Sequence, residues 1–147
     1  MTSGVLTTLG LIVGLHSGTH SRAAIIGGVL TIAVADALSD ALGIHIHEES
    51  ENAHSPGEIW VSTFATLVTK FAMAASFLLP LMTLQLSQAI VVSIVWGALV
   101  LTVISFFLAR DQNVHPAKVI SEHLCIGALV VVLTHLVGDW VARFVWS

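Results

Sequence analysis

Apolar runs close to the ~20 residues needed to span hydrocarbon recur at about 23–44, 60–83, 88–109 and 121–145, with a shorter run at about 4–16. That recurrence limits the fold more than any single motif does. A segment inside a bilayer must satisfy its backbone hydrogen bonds internally, so runs of this length are read as helices. The expected architecture is an all-α integral membrane protein. It is a five-transmembrane-helix bundle with a short first helix, the helices spanning about 3–17, 22–46, 58–83, 87–109 and 117–145. Composition agrees, because charged residues make up 10% of the chain against about 25% in a soluble domain. At roughly 30 residues per crossing, 147 residues hold one transmembrane domain, 1–147, and nothing else.

The first run has the length of a signal-peptide core but lacks the basic leader and cleavage site of one. It is expected to be a retained helix. Its small residues Gly4, Gly10 and Gly14 would let a second helix approach closely. Net charge is −4, which argues against nucleic acid and leaves the lipid bilayer as the surrounding partner. The single cysteine, Cys125, permits no intrachain disulfide and no CxxC metal spacing, and reads as a small buried hydrophobe. Trp60, Trp140 and Trp146 lie toward segment ends, where indoles prefer the interface, whereas Trp96 is mid-span.

Two acids interrupt the second apolar run. Asp36 and Asp40 stand four residues apart, and with Gly43 and His47 they line one helical stripe leading toward the acidic, histidine-rich segment HIHEESENAHSPGE at 45–58. A carboxylate at membrane depth costs at least a few kcal/mol, so intramembrane acids normally face a bundle interior and mark ion or proton sites. Carboxylates followed by imidazole suit a divalent transition-metal path, with Asp36, Asp40, His47, Glu48 and Glu51 as candidate ligands. The bland alternative is that the aspartates merely neutralise Lys70, the one lysine inside the third run. Lys70 then has two readings: a proton-sensitive tether displaced by an arriving ion, or a permanent occupant of the cation site. A buried ammonium must be paired or deprotonated in either case.

His45, His47, Glu48, Glu49, Glu51, His54 and Glu58 are dense in ligand atoms but have no closed spacing such as HExxH. They read as a loose cation-concentrating funnel or as a solvated polar loop. In the last run His135 and Asp139, again four apart, form either a proton relay or a histidine fixed by an aspartate near the interface, with Arg143 one turn on. No GxSxG, P-loop, HExxH or Rossmann fingerprint occurs, so no enzyme reading has support and no cofactor is expected. Arg110 and Lys118 against Arg22 and Arg143 give a two-to-two tie for orientation.

The stretch SGVLTTLGLIVGL (3–15), followed by ADALSDALGIHIHEESE (35–51), resembles the vacuolar iron transporter family, whose first helix opens with Asp-Gly and a TTxGLVAG-like run and whose second carries a GAxSMAxGEYxSxxSE-like signature. Leu-Pro-Leu at 79–81 and the Gly127 to Gly138 spacing extend the likeness over nearly the whole chain. The resemblance implies a homodimer that exchanges Fe²⁺ or Mn²⁺ for protons along a path near helix one, with the amino terminus and the loop between helices two and three in the cytosol. In a prokaryote that places the chain in the plasma membrane. Four positions depart from the pattern: Ser3 stands where the family has a membrane aspartate, Asp40 where it has methionine, Ile44 where it has glutamate and His45 where it has tyrosine. Exchanging a thioether for a carboxylate shifts preference toward harder ions such as Mn²⁺, with Fe²⁺ and Zn²⁺ still served by the histidines. The family's glutamate-rich cytosolic domain is absent or reduced to HIHEESENAH. The competing reading is a non-transporting membrane protein, a metal sensor or assembly partner, in which Lys70 neutralises the aspartates.

Overall fold

A computed structural model describes residues 2–145, and Trp146 lies outside the described residues. The chain is all helical: α1 (Thr2–Thr19), α2 (Arg22–Glu51), α3 (Pro56–Ser76), α4 (Leu78–Thr83), α5 (Leu86–Asp111) and α6 (Pro116–Val145). Four segments are long and apolar enough to cross a membrane: Arg22–Glu51, Pro56–Thr83, Leu86–Asp111 and Pro116–Phe144. They fit a multi-pass membrane protein, and α1, at 18 residues, falls outside that set.

The helices turn large side chains outward and small ones inward. On α2 the exposed stripe is Leu30, Val34, Leu38 and Leu42, while the buried stripe one position back is Val29, Ala33, Ala37 and Ala41. Such an arrangement is costly in water and natural against lipid, where close backbone packing rather than apolar burial joins helices. α1 is the exception, surrounded by α2, α3, α5 and α6 and holding Val5, Leu9 and Ile12 in the core. This 18-residue helix is thus the centre of the bundle.

Glycines allow that position. Gly10 packs on Val130 and Thr134, and Gly14 and Gly18 on the backbone of Thr134 and Gly138, so the small face of α1 is used against α6 of the same chain. Gly97 similarly admits the Leu9 side chain from α1. Levels can be matched from these contacts, since Leu6 meets Gly127 where Leu101 also does, and Leu9 meets Gly97. α1 and α5 are therefore antiparallel.

Three boundaries differ from the sequence expectation. α2 continues through the polar segment to Glu51 and stops where Asn52 takes a left-handed conformation (φ 51°), leaving a connection of only four residues, 52–55. A capping box then starts α3, with Ser55 Oγ accepting from Glu58 N–H and Ser55 N–H donating to Glu58 Oε2 at 2.8 Å, and Pro56 preset for the first turn. The expected third helix is interrupted at Phe77. Pro80 has no N–H to give the Ser76 carbonyl, and the chain tightens there, with Phe77 N–H reaching Ala74 O. Trp96, the mid-span indole, donates to Ser76 Oγ at 3.0 Å at this break. Cys125 is exposed on α6 rather than buried.

The close approach of α1 and α6 is testable. A Cβ on Gly138 would lie 2.7 Å from Ser17 Cβ and 2.9 Å from Gly18 N, whereas one on Gly27 meets nothing within 4 Å. Gly138→Leu is expected to lower the detergent unfolding temperature by roughly 5 °C or more, and Gly27→Leu to leave it unchanged, in a fluorescence melting assay.

Candidate functional site

α1 begins at the level of Asp40, not at the end of the α2–α3 hairpin. Eleven residues separate Asp40 from the end of α2 at Glu51, so by the helical rise the hairpin extends about 16 Å past the start of α1. A polar site sits at that step. Asp36 and Asp40 descend from α2, Lys70 from α3, and Ser3 from the first turn of α1.

Lys70 Nζ is 3.2 Å from Asp36 Oδ2, forms a second ion pair with Asp40 Oδ2, and donates to Ser3 Oγ at 2.6 Å. Ser3 Oγ in turn reaches Asp40 Oδ2 at 3.4 Å. The ammonium is thereby supplied with three oxygen partners, one for each of its protons. Gly4 makes room for them, since a Cβ there would stand 3.2 Å from both Asp36 Oδ2 and Lys70 Cδ. The positive end of the α1 dipole adds to the field holding the carboxylates.

Exposure falls steeply across the site. The Lys70 side chain is 3% exposed, Asp36 19% and Asp40 37%. Asp40 opens into a cleft of about 280 Å³ between α2 and α3, lined also by Ile44, Ala65, Thr66, Thr69 and Lys70. Two carboxylates and one ammonium leave one negative charge in surplus when all three are ionised. The site is therefore charged toward a cation and open on the Asp40 side.

The other expected ligands do not join it. His47 pairs with Glu51 at 3.3 Å on the exposed end of α2, and Glu48 accepts from Ser62 on α3. By helical rise His47 lies about 10 Å beyond Asp40, too far to share an ion. His45, on another face, stacks against Trp60 with ring centroids 4.8 Å apart; its Nδ1 hydrogen-bonds Thr63 Oγ1 at 3.0 Å, the Thr63 hydroxyl already donating to Ile59 O. Among the described residues no three His, Cys, Asp or Glu side chains converge to hold a metal ion. Ser3 and Gly4, noted in the sequence as the place of a family aspartate and as a small residue for close helix packing, join the site as partners of Lys70 and Asp36.

A second polar cluster lies at the opposite end of α1. Ser17, buried, bonds the Asp139 carboxylate and lies 3.1 Å from the His135 carbonyl, while His135 Nε2 is 3.7 Å from Asp139 Oδ2. His16 and His20 stack nearby with centroids 5.3 Å apart. His135 and Asp139 thus come together as their spacing suggested, about 20 Å of helix away from Lys70.

No family model, curated protein or solved structure matches the chain.

The ion pairs make a sharp stability prediction. Lys70→Met leaves two carboxylates facing each other at membrane depth, and breaking a buried pair from one side costs about 3–5 kcal/mol. Lys70→Met is expected to unfold at a markedly lower temperature than Asp40→Asn, which keeps the Lys70–Asp36 pair. The triple variant Lys70→Met, Asp36→Asn, Asp40→Asn should recover most of the loss. Melting curves of the four proteins in one detergent check this.

Proposed function

We propose that this chain is a proton-coupled carrier of divalent transition-metal ions, Mn²⁺ or Fe²⁺ with Zn²⁺ within reach, crossing the membrane five times and working as a homodimer. Asp36 and Asp40 are its ion ligands, and Lys70 is the built-in counter-ion that holds them when no metal is present. The observation that carries the reading is the pair of acids sharing one ammonium, with Asp40 and Lys70 lining an open cleft. A purely structural ion pair needs one acid per lysine, whereas here a second acid meets the same ammonium.

The resemblance to vacuolar iron transporters adds weight at one point. The aspartate that family has on helix one is Ser3 here, and Asp40 Oδ2 stands 3.4 Å from Ser3 Oγ. The acid has moved from α1 to α2 without leaving the site. A carboxylate pair with no thioether favours Mn²⁺ as the preferred ion. His47, Glu48 and Glu51 line the outer end of α2, where their charge concentrates cations without binding one together. On this reading the α2–α3 connection faces the cytosol and the membrane is the plasma membrane in a prokaryote.

One observation favours the competing reading, a non-transporting membrane protein. Lys70 is nearly sealed and all three of its protons are used, which is what a permanent neutralising group would look like. Flux in proteoliposomes separates the two. Under an imposed pH gradient the wild-type protein is expected to take up Mn²⁺ and Fe²⁺, with Asp36→Asn and Asp40→Asn each slowed at least about tenfold. Loss of flux in Lys70→Met supports a coupling role for the lysine, and flux at or above wild type removes it. Absence of uptake of Mn²⁺, Fe²⁺ and Zn²⁺ by folded wild-type protein would overturn the transport reading.

A further inference from the structure

Membrane-helix hydroxyls normally return to a carbonyl of the preceding turn, as Thr31, Thr69, Thr102, Ser105 and Thr134 do here. Two do not. Thr8 Oγ1 on α1 and Ser93 Oγ on α5 are fully buried and have no partner among the described residues. Buried hydroxyls are rarely left so, and each exception calls for a cause. A third unpartnered buried atom is His16 Nδ1.

Two of the three share a row on α1, and the third, on α5, falls between them in level. Gly4, Thr8, Ile12 and His16 are spaced by four and share one face of α1. Gly4 touches the Lys70–Asp36 pair, and Thr8 lies one turn, about 6 Å, beyond it. Ser93 is one turn before Gly97, and α5 runs antiparallel to α1 with Gly97 at Leu9, so Ser93 stands at the level of Val13. His16 follows about 4.5 Å on, beside His20 of α1 and His135 and Asp139 of α6, with Arg143 one turn further. Arg22 of α2 is engaged with the Leu84 carbonyl at 2.6 Å. Fully buried Ile12 is the one apolar step in the row.

We infer that this row is a proton path inside a single protomer, joining the Lys70 site to the histidine cluster at the far end of α1. Along the axis of α1 the levels are about 5–8 Å apart, and transient waters bridge them with the Thr8 and Ser93 hydroxyls as fixed partners. Each hydroxyl accepts one proton and releases its own toward the next partner, so neither residue changes charge and one proton enters for each that leaves. Ile12 limits the wetting of the row and keeps it from leaking. The inference rests on the proton-coupled reading above, and it supplies that reading with a route for the proton separate from the cleft at Asp40.

The test uses the full chain in liposomes with a trapped pH dye, potassium and valinomycin to clamp the potential, and equilibrium dialysis of Mn²⁺ in detergent as a separate readout. Thr8→Val and Ser93→Ala are expected to melt as wild type and to bind Mn²⁺ as wild type, yet to slow Mn²⁺-driven proton movement at least about tenfold. Ile12→Ala is expected to leak protons without Mn²⁺, and adding Thr8→Val to suppress the leak. Wild-type rates in Thr8→Val and Ser93→Ala, or an Ile12→Ala protein no leakier than wild type, would overturn the path. Failure of wild-type protein to bind Mn²⁺ overturns the ion-site reading instead, while a leak through Ile12→Ala that Thr8→Val suppresses would still stand.

Discussion

An ammonium inside a membrane bundle must find its compensation within reach, and for Lys70 that requirement organises the molecule. Three helices converge on it, each bringing one kind of group: acids from α2, a hydroxyl and a missing side chain from α1, the lysine itself from α3. The pairing fixes the register of α1 against the α2–α3 hairpin at one end. At the other, Ser17 on Asp139 fixes α1 against α6. Between these two polar ties the central helix is packed mainly by glycines and aliphatic side chains, with Thr8 buried among them.

The first turn of α1 meets the ion pairs through Ser3 and Gly4. On the side away from α1, Asp40 opens into the cleft between α2 and α3. The inward row of Thr8, Ile12 and His16 runs on from the same turn of α1.

Much of this was legible in the sequence, and the rest was hidden for identifiable reasons. Apolar run lengths placed the long helices within a few residues, and Asp36, Asp40 and Lys70 stood out because each is costly in lipid. The helical continuation to Glu51 was missed because its polar residues read as loop, whereas Asn52 in the left-handed conformation and the Ser55–Glu58 box are what separate the helices. The break at Phe77 comes from Pro80 but lies three residues before it, next to the Ser76 carbonyl that Pro80 cannot serve. Spacing suggested that His47 continues the aspartate stripe; it does so in angle but about 10 Å too far along to share an ion. Ser3 and Gly4 stood out only by family position and small size, and neither signal tied them to Lys70. Thr8 and Ser93 look like ordinary helix hydroxyls until their missing partners are seen.

The central claim is that Asp36 and Asp40 form one cation site in which Lys70 stands until the ion arrives. The most direct measurement is a crystal structure of the protein soaked with Mn²⁺, with anomalous diffraction recorded at the manganese edge. The account predicts one anomalous peak between the Asp36 and Asp40 carboxylates, with the Lys70 ammonium moved off both. Lys70 still paired to both aspartates, with manganese bound elsewhere or nowhere, would contradict it.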